Sequence, residues 1–196
     1  MKKISLLILG ILLTTVSCKK ETKEAKEETK EVVQDIKEEV KEVKPEKKEV
    51  KVTMESKSDS KAVGTVTFTE MDGKVEMVAN LEGLAEGEHA IHLHEKADCS
   101  SADGKSAGGH WNPTFKPHGK WGASEGYHKG DIGNFTADTN GKGTISFSTD
   151  EWCIGCEDET KDILGKGVIV HQGIDDFTSQ PSGDAGARVS CGGVIK

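Results

Sequence analysis

Six histidines and one aspartate are the residues of this chain whose types and spacing could bind metal ions. His92 and His94 lie two positions apart in an apolar segment. In a strand, side chains at that spacing point to one face, so both imidazoles could reach one ion. The other five residues follow later, four of them within 22 residues of loop-like sequence: His110, His118, His128, Asp131 and His171.

This set of donors suits two different metals. Three imidazoles and one carboxylate suit a tetrahedral Zn²⁺ site, whereas four imidazole nitrogens suit Cu²⁺. An isolated His-x-His pair also occurs by chance on protein surfaces. The evidence for a metal site therefore comes mainly from the additional cluster between His110 and Asp131. The residue types alone therefore predict a metal site and leave open whether it holds one ion or two.

Short β-strands must position these side chains. Several segments alternate apolar and polar residues or are rich in β-branched ones, and glycine-containing turns separate many of them. These segments are residues 62–69, 75–81, 89–94, 132–137, 143–148, 167–171 and 188–195. Many short strands with Gly turns predict an all-β sandwich or barrel. Residues 95–131 and 172–187 form two long loops, and such loops in a compact β domain usually carry function.

Residues 1–18 predict export. A basic start precedes an apolar run from Ile4 to Leu13, and small residues lead to Cys18, which is the pattern of a secretory signal. The end of this segment resembles a bacterial lipoprotein signal. We therefore expect lipid on Cys18 and anchoring to a membrane of the bacterial cell envelope, facing the periplasm or the cell surface. A plain signal peptide with an unmodified Cys18 is the alternative.

Residues 19–52 differ in composition from the rest of the chain. They contain eleven Lys, ten Glu and one Asp, with no Gly and no aromatic residue. Such a segment buries too little apolar surface to offset its ordering entropy, which predicts a charged tether. Valines and Ile36 at three- and four-residue spacing leave a short coiled coil as the alternative, although Pro45 interrupts it. The globular domain is then residues 53–196.

The charge of the domain excludes one class of partner. The whole chain carries a formal charge of −8; since residues 1–18 contribute +2 and residues 19–52 contribute 0, residues 53–196 carry −10. Nucleic-acid binding requires a basic face. We therefore expect no nucleic-acid partner.

Export also bears on the five cysteines, because an oxidising compartment permits disulfides. If Cys18 takes lipid, four cysteines remain, an even number that could pair. Cys153 and Cys156 form a Cys-x-x-Cys motif that suits a redox centre, half of a zinc site or a small disulfide. An all-β setting and the lack of spare ligands favour the disulfide, with copper capture by the reduced thiols as the alternative.

Several motifs together resemble the copper/zinc superoxide dismutase family, in its exported bacterial lipoprotein form. The segment around His92-Leu93-His94 resembles the copper-binding strand of the family, and Gly109-His110-Trp111 resembles the segment of its bridging histidine. Segments 117–119 and 128–134 resemble the zinc loop. Segment 167–171 resembles the strand ending in the last copper ligand, and segment 183–195 resembles the C-terminal motif. The resemblance runs from about residue 63 to residue 196.

The resemblance implies a fold and a set of roles. The fold would be an eight-stranded Greek-key β-barrel. Copper would be held by His92, His94, His110 and His171; zinc would be held by His110, His118, His128 and Asp131. Asp175, chosen over its neighbour Asp176 by spacing, would orient one histidine of each metal. His89 would have a structural role. Cys99 would pair with Cys191.

The implied reaction is disproportionation of superoxide to O₂ and H₂O₂. In this scheme His110 bridges the metals and carries a proton, and the always-charged guanidinium of Arg188 holds the superoxide anion. A copper store without turnover and a non-catalytic surface module are the rival functions. The sequence leaves a monomer and a homodimer equally open. It departs from many relatives in lacking Lys and Arg in residues 172–187 and in carrying an insertion at Cys153-Ile154-Gly155-Cys156.

Overall fold

The structure is a computed structural model, and it describes residues 46–196. The signal segment, the lipidation site Cys18 and the tether up to residue 45 lie outside the described residues. Within residues 46–196, no helix is long and apolar enough to cross a membrane. The single helical element of this part is a short 3₁₀ turn, Lys105–Ala107.

Alternating apolar residues form the strands of a closed antiparallel barrel. Residues 46–196 contain eight strands: β1 Lys48–Ser56, β2 Val63–Met71, β3 Lys74–Glu82, β4 Gly87–His94, β5 Gly133–Ala137, β6 Gly143–Thr149, β7 Gly167–His171 and β8 Arg188–Gly193. Their order around the barrel is β1-β2-β3-β6-β5-β4-β7-β8, and β8 pairs with β1 to close it. The pairings of β3 with β6 and of β4 with β7 give Greek-key connections. The predicted all-β, eight-stranded Greek-key barrel is confirmed.

Strand β1 corrects the predicted domain boundary. Val50, Val52 and Met54 point into the barrel and are 4%, 2% and 1% exposed, while the residues between them face solvent. The strand begins at Lys48, so residues 48–52 belong to the barrel and not to the tether. The prediction is wrong here because Lys and Glu dominate the outward positions of this strand, so its composition matches the tether, and only the inward residues show the two-residue alternation.

Three long connections extend from the barrel, and disulfides restrain two of them. The β4–β5 loop (residues 95–132) and the β7–β8 loop (residues 172–187) were both expected, and the β6–β7 loop (residues 150–166) contains the insertion. Cys99 of the β4–β5 loop pairs with Cys191 in β8. Cys153 pairs with Cys156 inside the β6–β7 loop, so the favoured interpretation of the Cys-x-x-Cys motif agrees with the structure.

Candidate metal centre

The first group of potential ligands is built mainly on strands. His92 and His94 lie in β4, where they pair with Ile169 and Gly167 of β7, and both side chains are buried. His171 ends β7, where a register irregularity separates it from Val170. Backbone pairing therefore fixes three imidazoles on one side of the barrel wall. With His110 they form a buried group whose candidate ligand atoms lie within 4.8 Å of one another, which we call the strand cluster.

His110 reaches this cluster because its loop folds back along β4. His94 and His110 form an antiparallel bridge outside the regular strands. Backbone hydrogen bonds from Glu95 N to Gly109 O (3.0 Å) and from Trp111 N to Leu93 O (2.8 Å) extend this pairing. The His110 ring lies 4.0 Å from the His92 ring between centroids. A loop segment is thus held with nearly the regularity of a strand.

A second buried group, which we call the loop cluster, surrounds the Asp131 carboxylate. It consists of His110, His118, His128 and Asp131, again with ligand atoms within 4.8 Å of one another. His110 Nδ1 lies 2.9 Å from Asp131 Oδ1, and the Nδ1 atoms of His118 and His128 lie 3.0 and 3.3 Å from carboxylate oxygens. The backbone N–H groups of Gly119 and His128 donate to Asp131 Oδ2. His110 is a member of both clusters, and its Nδ1 is the atom that faces the Asp131 carboxylate.

Six buried ring nitrogens show that both clusters suit metal ions. None of them makes a hydrogen bond of acceptable geometry in the described part of the chain, although two lie close to the Asp131 carboxylate. The six atoms are Nδ1 of His92, Nε2 of His94, Nε2 of His110, Nδ1 of His118, Nδ1 of His128 and Nε2 of His171. A buried polar atom without a partner is energetically unfavourable. All six atoms belong to the two clusters, and a cation in each would satisfy them. Four imidazoles in one cluster and three with a carboxylate in the other match copper and zinc.

Burial keeps imidazoles of the strand cluster in the neutral form, which is the form that binds a metal ion. Burial lowers the pKa values of His94 and His171 well below the ordinary range, and it lowers the pKa of His110 to about 4 despite the opposing hydrogen bond with Asp131. These imidazoles are therefore neutral at pH 7 and have lone pairs available. In the loop cluster, burial disfavours the charged form of His118, but its contacts with Asp131 and Asp175 outweigh this and raise its pKa to about 9. A cation bound there would displace that proton.

Asp175 connects the two clusters. His92 Nε2 and His118 Nε2 each donate to its carboxylate at 2.8 Å, so it orients one histidine of each cluster from outside. Asn134 fixes the Asp175 backbone through two hydrogen bonds of 2.8 Å, which the sequence did not reveal. Asp176 is exposed instead, and it accepts hydrogen bonds from Thr178 and Ser179 within its own loop. The structure therefore places Asp175, and not Asp176, between the clusters.

The close packing around Asp175 requires glycine at one position. Gly183 has a left-handed backbone with φ of 72°. A Cβ at this position would overlap the Asp175 carboxylate and approach His118 Nε2 to 2.7 Å. Only glycine combines that conformation with that approach. The β7–β8 loop can therefore cover Asp175 because residue 183 has no side chain.

Arg188 lies beside the strand cluster because of the β7–β8 register. It is the pairing partner of His171, and its guanidinium donates to the carbonyl oxygens of Gly104 and Gly108, both at 2.8 Å. The Gly108 carbonyl also lies 3.0 Å from His94 Nδ1. The same carbonyl group thus fixes Arg188 and a histidine of the strand cluster relative to each other.

A cleft gives access to both clusters. Its volume is about 780 Å³, and His94, His110, His128 and His171 line it together with Arg188. The lining also includes two lysines, Lys105 and Lys116. Glu95 and Asp103 line the cleft as well, and Asp103 pairs with Lys105 at 3.2 Å. The positive charge that a small anion meets in this cleft therefore comes chiefly from Arg188 and Lys116, since the β7–β8 loop supplies no Lys or Arg of its own.

Two further residues support the clusters from outside. The ring nitrogens of His89 lie 2.8 Å from the His171 carbonyl oxygen and 2.9 Å from that of Ala85, which agrees with a structural role. Gln180 was not identified from the sequence. Its side-chain amide accepts from His118 N and donates to His118 O, both at 2.9 Å. Gln180 therefore ties the β7–β8 loop to the backbone of the loop cluster.

Fold and site together define a β-barrel metalloprotein with adjacent four-histidine and three-histidine–aspartate clusters. A family model for copper/zinc superoxide dismutase (SODC) matches residues 62–195. The chain is 38% identical over 142 residues to the superoxide dismutase [Cu-Zn] of Caulobacter vibrioides, covering 70% of this chain and 80% of the relative. It is 38% identical over 152 residues to the superoxide dismutase [Cu-Zn] of Escherichia coli K12, covering 72% and 83%.

Solved structures give the same result. A crystal structure of a double mutant of a SOD-like protein from Bacillus subtilis superposes with a TM-score of 0.67 at 30% identity, covering 74% of this chain and 97% of that one. The chain belongs to the copper/zinc superoxide dismutase family. The family predicted from the sequence is confirmed, and so are copper and zinc as the metals that fit the two clusters.

Proposed function

We propose that this protein disproportionates superoxide in the bacterial cell envelope. Two superoxide anions and two protons give one O₂ and one H₂O₂. Copper would be held by His92, His94, His110 and His171; zinc would be held by His110, His118, His128 and Asp131. The two metals would share the His110 imidazole.

One observation carries this proposal: the seven potential ligands form two buried clusters that share His110, and four of them line a cleft that also contains Arg188. Similarity alone is weaker support, because one of the similar solved structures is described only as a SOD-like protein. A chain that merely stored copper would not need Arg188 at the cleft wall or a complete second cluster. The intact ligand set together with a positioned cation therefore favours an enzyme.

Copper would supply the one-electron redox step of this reaction, whereas zinc has no redox step. The role of the chain at the cleft is to bind and orient the anion. Arg188 has five N–H donors, and two of them are used by the Gly104 and Gly108 carbonyls. The remaining donors can bind both oxygens of a diatomic anion, and their position is fixed by those two carbonyls.

His110 is the residue best placed to hold a proton. Its Nδ1 faces Asp131 and its Nε2 lacks a hydrogen-bond partner in the described chain while the residue lines the cleft. A proton held at Nε2 would lie next to the oxygen species that must be protonated to give H₂O₂. Because Asp131 and the rest of the loop cluster fix the other side of the ring, the proton acceptor stays oriented.

The proposed location rests on the sequence of the N-terminal region. The lipoprotein-like signal ending at Cys18 and the Lys/Glu-rich tether would place the barrel on a membrane of the cell envelope, in the periplasm or at the cell surface. The two disulfides support an oxidising compartment.

The proposal is tested by superoxide consumption with purified full-length protein in metal-free, zinc-only and copper–zinc forms. We expect one copper and one zinc per chain and turnover only in the form that contains copper. His110→Ala should uncouple the binding of the two metals and reduce turnover. A protein that binds both metals at these residues without consuming superoxide would instead be a copper store.

A further inference from the structure

The β6–β7 loop contains no metal ligand, yet its first residues contact the chain on both sides of His128. The Trp152 indole Nε1–H donates to the Lys129 carbonyl oxygen at 2.9 Å. The Glu151 carboxylate accepts a hydrogen bond from the Tyr127 hydroxyl at 2.6 Å and pairs with the Lys129 ammonium through its other oxygen. Three side-chain contacts from two consecutive residues thus bracket a histidine of the loop cluster.

The two residues are themselves firmly held. Trp152 is 1% exposed and lies in an aromatic group, with ring centroids 5.0 Å from Phe147 and 5.8 Å from Trp121. Trp121 in turn lies 4.9 Å from the Tyr127 ring. The next residue, Cys153, forms backbone hydrogen bonds with Lys161 and Ile163 and the disulfide with Cys156. The contacts around His128 therefore have a rigid base.

We propose that Glu151 and Trp152 form a positioning clamp that holds His128 in the geometry for zinc and so slows zinc release. This inference rests on the proposed zinc assignment of the loop cluster. His128 lies in a loop, where a turn holds its backbone: its N–H donates to Asp131 Oδ2 at 2.8 Å and its carbonyl oxygen accepts from Asp131 N at 3.1 Å. The direction in which this turn presents the His128 ring also depends on the contacts of its neighbours Tyr127 and Lys129. Residues that orient metal ligands from outside typically change metal affinity 10- to 100-fold when they are replaced.

Two conservative substitutions can distinguish a positioning role of Glu151 and Trp152 from ordinary packing. Trp152→Phe keeps an aromatic ring in the group but removes the N–H donor to Lys129. Glu151→Gln keeps the side-chain length and an acceptor for Tyr127 but removes the charge that pairs with Lys129. Both substitutions leave every metal ligand unchanged. Each therefore removes one contact to the segment around His128. Glu151→Gln does so with little change in volume, whereas Trp152→Phe also leaves a small cavity in the aromatic group, which the melting temperature reports.

The same loop offers a matched control. Glu70 Oε2 accepts a hydrogen bond from Ile154 N at 2.7 Å and lies 3.4 Å from Lys48 Nζ. Glu70→Gln is the same chemical change as Glu151→Gln, and it weakens the attachment of the β6–β7 loop to the barrel without touching the segment around His128. A general loosening of the loop would therefore affect both variants.

The experiment measures zinc transfer from full-length, copper- and zinc-loaded protein to a chromogenic chelator, with the melting temperature recorded for each variant. We expect Trp152→Phe and Glu151→Gln to release zinc about tenfold faster than the wild type, and Glu70→Gln to stay within about twofold. Co²⁺ substituted for zinc gives a visible spectrum that reports ligand geometry. This spectrum should change in the two clamp variants and not in Glu70→Gln.

Several outcomes would overturn the clamp. Zinc release unchanged in both clamp variants, or equally fast in Glu70→Gln, would leave Glu151 and Trp152 with a packing role only. If Trp152→Phe fails to fold, Glu151→Gln decides the question. A wild-type protein that retains zinc but does not consume superoxide would refute the proposed function and leave the clamp testable by the same zinc measurement. A wild type that retains no zinc would refute the zinc assignment and the clamp together.

Discussion

The strand cluster and the loop cluster of this barrel are held in place by different kinds of contact. In the strand cluster, three of four histidines lie on β4 and β7, and backbone pairing fixes their positions. In the loop cluster, all four residues come from the β4–β5 loop between His110 and Asp131. There, side chains from distant segments supply the order: Asp175, Gln180 and the Glu151–Trp152 clamp.

This difference predicts how strongly each cluster should lose metal affinity when a supporting side chain is removed. A strand-borne ligand keeps its backbone geometry when one neighbouring side chain is lost, because the ladder of hydrogen bonds remains. A loop-borne ligand depends on a few tertiary contacts, each of which can be removed singly. We therefore expect the loop cluster to lose its metal first when the surroundings are altered.

The largest effect on stability should come from the covalent tie between the β4–β5 loop and β8. Cys99→Ser/Cys191→Ser should lower the free energy of unfolding by about 4–5 kcal/mol in the chain-entropy model, since the two residues are 92 apart in sequence. Denaturant unfolding of metal-free protein measures this loss. Metal release is then compared in the same variant loaded with copper and zinc. If copper were released more readily than zinc, backbone pairing would not be what holds the strand cluster.

Asp175→Ala tests the difference between the two clusters most directly, because Asp175 contacts one histidine of each cluster. Zinc affinity should fall roughly 10- to 100-fold. Copper affinity should fall less, because strand pairing continues to hold His92. Asp176→Ala is the control, since Asp176 is exposed and bonds only within its loop among the described contacts. Competition with chelators measures both affinities, and equal losses for the two metals would contradict the comparison.

Arg188→Ala should affect the reaction and not the metals. Removing a charged hydrogen-bond donor should lower kcat/KM for superoxide about tenfold, while metal analysis shows both metals still bound. Arg188→Lys should fall between the wild type and the alanine variant, because it keeps the charge but loses the forked geometry. Unchanged turnover in Arg188→Ala would remove the anion-binding role.

The smallest effect on the site should follow Cys153→Ser/Cys156→Ser. This disulfide closes a loop of only a few residues, so its contribution to stability should be at most about 2 kcal/mol. Both metals and nearly full activity should remain, because the indole of Trp152 still donates to Lys129. Absence of copper from the exported variant would instead support copper capture by the reduced thiols.

Strands β2–β8 were predictable from the sequence because their apolar residues alternate or are rich in β-branched side chains, and because turn residues separate many of them. Strand β1 was not, because its outward residues continue the Lys/Glu composition of the tether. Only the inward Val50, Val52 and Met54 carry the strand pattern. The Lys/Glu-rich composition of the longer segment therefore concealed the apolar–polar alternation of strand β1, which extends over only seven residues.

Ligand types and their order along the chain were also readable, because metal chemistry restricts the residue types. The supporting contacts were not. Asn134 and Gln180 act on backbone atoms 41 and 62 positions away, and an amide side chain carries no sequence signal of such a partner. Nothing in the sequence singles out Glu151 and Trp152, since their partners flank His128 in another loop.

Crystallography of the copper- and zinc-loaded protein, with anomalous data collected at both metal edges, tests the central claim most directly. We predict copper bound by His92, His94, His110 and His171, and zinc bound by His110, His118, His128 and Asp131. The His110 ring should contact copper through Nε2 and zinc through Nδ1. The same metal at both positions, or a His110 that contacts neither or only one of the oxidised metals, would contradict this assignment.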